Sequence, residues 1–250
     1  MTQKRNWGSN KVQDIILNRV KDRLIDIVLK VENAEVLGRV VKTHFNYLFE
    51  IPVFQAIDLG ISSGKVLDLG SAYSLSAINL AKQSEDVEII SFQDTRKMIN
   101  VSKMFAEEDM VEDRIKWEIG KPEKLPFKDN TFDLVISHMD IHHWDDPVAV
   151  FNEINRVIRE RKGVVVVGDL RRDVYEILWP AIKILSYFSK NSRIFDELKH
   201  SFMSSYTKSE ILELLKASNI EKYEVISDAT CFYIRKFPEK KRRILIELSG

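Results

Sequence analysis

A single cysteine, Cys231, stands in a chain of 250 residues, so neither a disulfide framework nor a multi-cysteine zinc or iron–sulfur site is open to it. Long apolar runs are missing too, since none approaches the roughly 20 residues that a membrane span needs. The first ten residues are polar, unlike a secretory leader, and the expected compartment is the cytoplasm. Charge of one sign is not in excess: 38 Lys and Arg balance 38 Asp and Glu. A whole-surface nucleic-acid binder is therefore not expected, and the run Lys240-Lys241-Arg242-Arg243 reads as a solvated face. Internal repeats and low-complexity tracts are also absent. What is there is 44% hydrophobic and 30% charged residues, the composition of an ordinary soluble protein. The length suits one domain with a sizeable core, or a compact domain carrying an appendage.

Hydrophobic periodicity separates three regions. Residues 10–60 are helical by pattern: Val12, Ile15, Ile16, Val20, Leu24, Ile27, Val28 and Val31 form one apolar stripe. Val36, Leu37, Val40, Val41, Phe45, Leu48 and Phe49 form the next; Asn33 and Gly38 loosen the join, and Pro52 is expected to stop the second segment. From 64 to 170, β-rich runs alternate with amphipathic stretches. The strands expected are Lys65–Leu69, Val87–Phe92, Ile115–Glu118, Phe132–Ser137 and Val164–Gly168, with helices at Ser74–Gln83, Arg96–Glu108 and Pro147–Arg159. Four consecutive valines at 164–167 suit a strand covered on both faces, as in a parallel sheet between helix layers. The third region opens with an aromatic-rich helical insertion over 172–205, where Tyr175, Leu178, Trp179, Ile182, Ile184, Leu185, Tyr187 and Phe188 gather. Thr207 and Glu210 then form a capping-box signature, and Lys222–Ser227 with Cys231–Phe237 reads as a closing hairpin. The expectation is an α/β protein: a doubly wound, mostly parallel, seven-stranded sheet with an antiparallel C-terminal hairpin strand. N-terminal helices (1–60) precede a Rossmann-like, doubly wound domain (61–250) that contains the helical insertion (172–205).

In such a sheet, ligands bind beyond the carboxyl ends of the strands. The first of those loops lies in VLDLGSAYSLSAINLAK (66–82). Gly70 suits the tight turn, while Ser71, Ala72 and Ser74 are small enough for close backbone approach. Asp68 ends the strand with a hydrogen-bond acceptor. Further on, the ordered set Leu125-Pro126-Phe127, Phe132-Asp133-Leu134-Val135, Ile141-His142-His143-Trp144, Asp146-Pro147 and the helix Glu153–Val157 resembles the class I S-adenosylmethionine-dependent methyltransferases. It looks most like the small-molecule branch that includes the ubiquinone and menaquinone biosynthesis enzymes. The resemblance covers 64–170 well and extends more weakly to the C-terminal part through TKSEILELLKASNI.

That resemblance implies methyl transfer from S-adenosylmethionine to a small, partly apolar acceptor, leaving S-adenosylhomocysteine. It implies that Asp68, Gly70, Ser71 and Ala72 hold the methionine part of the cofactor. Gln93 and Asp94 take the place of the acidic ribose anchor, and Lys121, Pro122 and Glu123 stand at the adenine end. Ser137 and His138 form the floor beneath the sulfonium. This chain departs from the pattern in lacking two loop glycines, in having Gln93 for a carboxylate, and in having Lys121 where the adenine amino group wants an acceptor. These departures motivate the alternative, a non-catalytic binding or regulatory module that keeps the fold with weakened or altered cofactor binding.

The segment from Ser137 to Asp146 is the densest cluster of polar functional groups. His138 or His142 is the expected base and Asp140 its orienting partner, whereas His143 is expected to pack or cap locally. The set His138, Asp140, His142 and Asp169 lacks a further oxygen ligand at Leu170, so no metal is expected. Without an Asn/Asp-Pro-Pro-aromatic tetrad after the fourth strand, amino-group methylation of adenine or glutamine is set aside. The lone Cys231 lies far from any Pro-Cys loop, which sets aside cytosine C5 chemistry. Arg171 and Arg172 could receive an anionic group of the acceptor, and Tyr175 and Trp179 of the insertion could wall its pocket or form a homodimer interface.

Overall fold

The computed structural model describes residues 10–19, 34–177, 179–180 and 192–238. Strands β1 (Gly64–Leu69), β2 (Val87–Gln93), β3 (Ile115–Ile119), β4 (Leu134–His138), β5 (Val164–Leu170), β6 (Tyr223–Ser227) and β7 (Cys231–Lys236) form one sheet in the order β3-β2-β1-β4-β5-β7-β6. The neighbouring pairs among the first five strands are parallel, and β7 runs antiparallel to both β5 and β6. This is the expected mostly parallel sheet closed by an antiparallel hairpin. Strand order reverses between β1 and β4, so the crevice rule places a ligand beyond their carboxyl ends.

The pleat divides the core in two. Val66, Leu134, Ile136, Val164 and Val166 face one helix layer, made by α2 (Ala34–His44), α3 (Asn46–Asp58), α4 (Leu75–Gln83) and α5 (Arg96–Glu108). Leu67, Leu69, Val135, Val165 and Val167 face the other, with α1 (Asn10–Leu17), α6 (Pro147–Val157) and α8 (Lys208–Lys216). Both sides of the valine run are thus buried, which is why it shows no alternation. Between β5 and α8 lies α7 (Ser192–Ser204). Local chemistry sets the helix starts. Asp146 Oδ1 accepts from Ala149 N at 3.0 Å with Pro147 in the first turn, and Thr207 and Glu210 complete the expected capping box.

Three local expectations are corrected. Pro52 lies inside α3, and the break falls at Phe45 instead. Phe49, Val53 and Ala56, each 0% exposed, anchor α3 to the sheet, and that packing outweighs the roughly 3 kcal/mol cost of an interior proline. Gly38 is not a joint but the interior of α2, where an added Cβ would come within 3.0 Å of Phe105 and 3.2 Å of Tyr73. Its missing side chain lets α2 approach α5. Strand β4 starts at Leu134, because Phe132 makes only an isolated bridge to Ile158. Val20, Leu24, Ile27, Val28, Val31, Asn33, Leu178, Ile182, Ile184, Leu185, Tyr187, Phe188 and the basic run 240–243 lie outside the described residues.

Candidate functional site

The turn after β1 is built against steric preference. Gly70 has φ +76°, and a Cβ there would overlap the Asp140 carboxylate. Two non-glycine residues follow in the left-handed region, Tyr73 at φ 59° and Ser74 at φ 56°. A buried hydrogen-bond chain ties Ser74 down: Gln93 Nε2 donates to Ser74 Oγ at 2.8 Å, the Ser74 and Ser91 hydroxyls meet at 2.6 Å, and Ser91 Oγ donates to Asp68 Oδ2 at 3.1 Å. The other oxygen of Asp68, Oδ1, is buried without a hydrogen-bond partner. Burial pushes this carboxyl up to about 7; the Ser71 and Ser91 hydroxyls oppose the rise and the Asp140 charge adds to it.

Beyond the carboxyl ends of β1, β2, β3 and β4 lies a shallow, solvent-open cleft. Of the residues expected to bind or react, Gly70, Gln93, Asp94, Lys121, Pro122, Glu123 and Asp140 line it. Its wall is completed by Leu69, Phe92, Gly120, His143, Trp144 and Asp145, which the sequence reading did not assign to binding. Trp144 and Asp145 stand in the polar segment already singled out, and His143 lines the cleft rather than packing behind it. Trp144 Nε1 donates to Asp140 Oδ2 at 3.1 Å, while Glu123 Oε1 receives the backbone N–H groups of Asp145 (3.0 Å) and Asp146 (3.3 Å). Glu123 therefore fastens the loop after β4 to the loop after β3. Lys121 is largely exposed and reaches Asp145 at 4.0 Å.

Asp68, Ser71, Ala72, Ser137, His138 and His142 stand behind this wall. Ser137 Oγ donates to Leu69 O at 2.6 Å and His138 N donates to Ser71 Oγ at 3.0 Å, joining the ends of β1 and β4. The His138 imidazole is fully buried, stacked on Tyr233 with centroids 5.6 Å apart and edge-on to Phe49 at 5.3 Å. Neither ring nitrogen has a hydrogen-bond partner, and burial drives its pKa down to about 4 against the weaker pull of Asp169. His142 is held twice by Asp169: its backbone N–H donates at 2.9 Å, and Nδ1 lies 2.7 Å from Oδ1. Asp169 also accepts from Leu170 N at 2.7 Å.

The residues expected to meet the acceptor lie beyond β5. Arg171 pairs with Asp173 at 2.8 Å and donates to Asp228 O at 2.7 Å. Arg172 Nη2 donates to both oxygens of Glu210, at 2.7 and 2.8 Å, and the buried Arg19 pairs with the same carboxylate. Tyr175 and Trp179 stack with centroids 5.0 Å apart. Leu170, Val174, Phe202, Cys231 and Tyr233 form a separate apolar cluster nearby, with Ile51, Met139, Tyr175 and Leu198 packed against it.

Residues 67–167 match the family model described as a methyltransferase domain. The chain is 30% identical over 140 residues to a demethylmenaquinone methyltransferase of Lactiplantibacillus plantarum, covering 55% of this chain and 57% of that protein. It is also 30% identical over 96 residues to YcgJ, an uncharacterised methyltransferase of Bacillus subtilis, covering 38% of this chain and 37% of that one. The matches thus span only about a third to three fifths of the first curated relatives' lengths. Among solved structures, the plantazolicin methyltransferase BpumL in complex with S-adenosylhomocysteine superposes with a TM-score of 0.67 at 11% identity, covering 90% of this chain and 99% of that one. At that identity the likeness speaks for the fold, and it agrees with the strand order. Among the described residues, no helix is long and apolar enough to cross a membrane. Sheet topology, the turn at Gly70 and the matched sequence agree: residues 67–167 match the methyltransferase-domain family and carry its fold.

Proposed function

We propose that this protein transfers a methyl group from S-adenosylmethionine to a small, partly apolar acceptor in the cytoplasm. The observation that carries this reading is the cleft bounded by Gly70, Gln93, Gly120 and Asp140 at the strand-order reversal of a methyltransferase-family domain. Its donors and acceptors suit the cofactor. The side-chain-free Gly70 admits the Asp140 carboxylate against its backbone, Asp94 beside the inward-turned Gln93 supports a ribose end, Lys121 to Glu123 support an adenine end, and Asp68 holds an unpartnered buried oxygen behind the turn. When bound, the cofactor supplies a sulfonium-activated methyl group for in-line displacement.

For the base, the geometry favours the His142–Asp169 pair over His138. With its proton on Nδ1, His142 donates a hydrogen bond to Asp169 Oδ1 and keeps a lone pair on Nε2 when neutral. The His143 ring lies tilted at 43° against that of His142, centroids 4.1 Å apart, and reaches the cleft wall. His138, held near 4, binds a proton too weakly to act near neutral pH. The apolar side chains of Leu69, Phe92 and Trp144 in the cleft wall support a partly apolar acceptor, and the insertion bearing the Tyr175–Trp179 stack supports a lid. Arg171 and Arg172 are taken up by Asp173 and Glu210, which argues against an anionic acceptor group at those two. What supports a homodimer is the apolar row Tyr47, Phe54 and Ile57 that α3 leaves exposed.

Calorimetric titration with S-adenosylmethionine and S-adenosylhomocysteine tests the reading. Binding of both is expected. If neither binds at millimolar concentration, the fold serves the alternative role of a non-catalytic module, for which Gln93 and Lys121 are the motivating departures.

A further inference from the structure

We infer that Asp140 is the specificity-determining residue that makes this cleft prefer the positively charged sulfonium nucleoside over its uncharged thioether product. The inference rests on the proposed function and concerns its charge selectivity.

Three features of the cleft carry it. Asp140 lies directly over Gly70, so closely that any β-carbon at that glycine would overlap its carboxylate. The Trp144 indole N–H, 3.1 Å from Oδ2, fixes the carboxylate there. A ligand seated on the turn that begins at Gly70 therefore meets this side chain. Second, among the described residues the cleft wall is rich in acid: Asp94, Glu123, Asp140 and Asp145 stand against the one ammonium of Lys121, which is itself drawn toward Asp145. Third, the carboxyl of Asp68 lies beneath the same turn, fully buried and with Oδ1 unpartnered, and the Asp140 charge already weighs against its ionisation. Two carboxyl groups brought together in a partly desolvated place are relieved by a cation and gain nothing from a neutral group.

The chemistry of the proposed reaction makes this selectivity useful. The reactant carries one more positive charge than the product, and the two are otherwise nearly the same shape. Shape alone discriminates poorly between them, whereas a fixed carboxylate responds to the charge. Reactant is thereby retained and product released.

The test compares calorimetric affinities of the wild-type protein and Asp140→Asn for S-adenosylmethionine and S-adenosylhomocysteine, each at low and at high salt. The wild type is expected to favour the sulfonium compound by about fivefold or more, the factor that one charge pair 4 Å apart gives even in bulk water. The preference is expected to shrink at high salt. Asn keeps the Trp144 contact but not the charge, so the variant should bind both compounds nearly equally, with thioether affinity kept within about twofold. A wild-type ratio at or below one overturns the inference, as does an equal loss for both compounds in the variant. Should the variant fail to fold, the wild-type ratio and its salt dependence decide. If both compounds bind without discrimination, only this inference falls; if neither binds, the proposed function falls with it.

Discussion

Gln93 Nε2 donates to Ser74 Oγ at 2.8 Å, tying the end of β2 to the turn after β1. Because Ser91 gives its proton to Asp68, Ser74 must give its own to Ser91 and accept from Gln93. The four side chains thus form a one-directional chain, and the amide of Gln93 is what its start requires. A carboxylate at 93 would have no proton to give. Ser74→Ala cuts this chain in two places and keeps a β-carbon in the left-handed region. Urea unfolding is expected to show a loss of about 2–3 kcal/mol, with weaker binding in the adjoining cleft; an unchanged midpoint would refute the linkage.

Asp68 should make the protein less stable as pH rises. Its folded-state pKa, raised to about 7 by burial, exceeds the ordinary value of 3.8. Between these values the folded state holds a proton that the unfolded state has lost, so stability falls with increasing pH until the group is ionised in both. Asp68→Asn removes this term and still accepts from Ser91. Its stability relative to wild type should grow from pH 4 to pH 8 by up to about 4 kcal/mol. Parallel stability–pH curves would contradict this.

His138 acts in the opposite direction. Unfolded, it binds a proton near 6.5; folded, burial holds the pKa near 4. As pH drops through this window the unfolded state takes up a proton that the folded state refuses, and stability falls. Replacement by leucine should flatten the acid limb by about 3 kcal/mol. Because the Asp68 effect overlaps in pH, the comparison is cleanest in the Asp68→Asn background.

Glu210 serves three partners at once: it closes the capping box of α8 with Thr207, receives Arg172 and pairs with the buried Arg19 after α1. Glu210→Ala removes a cap worth about 1 kcal/mol and strands a buried guanidinium. A loss of about 3 kcal/mol or more is expected in chemical denaturation, together with faster amide exchange in α1. If α1 exchanges as in wild type, Glu210 is not what holds it.

Gly70→Ala combines a left-handed backbone with a side chain in the space of the Asp140 carboxylate. A stability loss of about 1–3 kcal/mol is expected, and titration should show cofactor binding lost or severely weakened. Retained affinity would mean that the ligand does not rest on this turn.

Much of the fold was legible because burial leaves a periodic trace. The run Val164–Val167 announced a strand covered on both faces, and Thr207 with Glu210 announced a helix start. The N-terminal region was harder to read. Pro52 and Gly38 carry strong local signals for a break, yet both sit within helices, since the contacts that override those signals come from residues distant in sequence.

The same division holds at the site. Cleft residues came from strand-end loops, where the position of the turn is written locally, so Gly70, Gln93, Asp94 and Asp140 could be named in advance. Which histidine faces the cleft could not, because His138, His142 and His143 differ only in the direction their side chains take once β4 pairs with β1 and β5. Sequence by itself determined the strand–helix alternation, the strand-end chemistry and the absence of a disulfide framework, all properties of residue type and spacing. Only tertiary structure decided that Gln93 turns inward to Ser74, that Asp169 takes His142, and that Asp140 stands over Gly70. Each depends on the distance between groups brought together from separate strands and loops, and distance in space is what a linear order of residues does not contain.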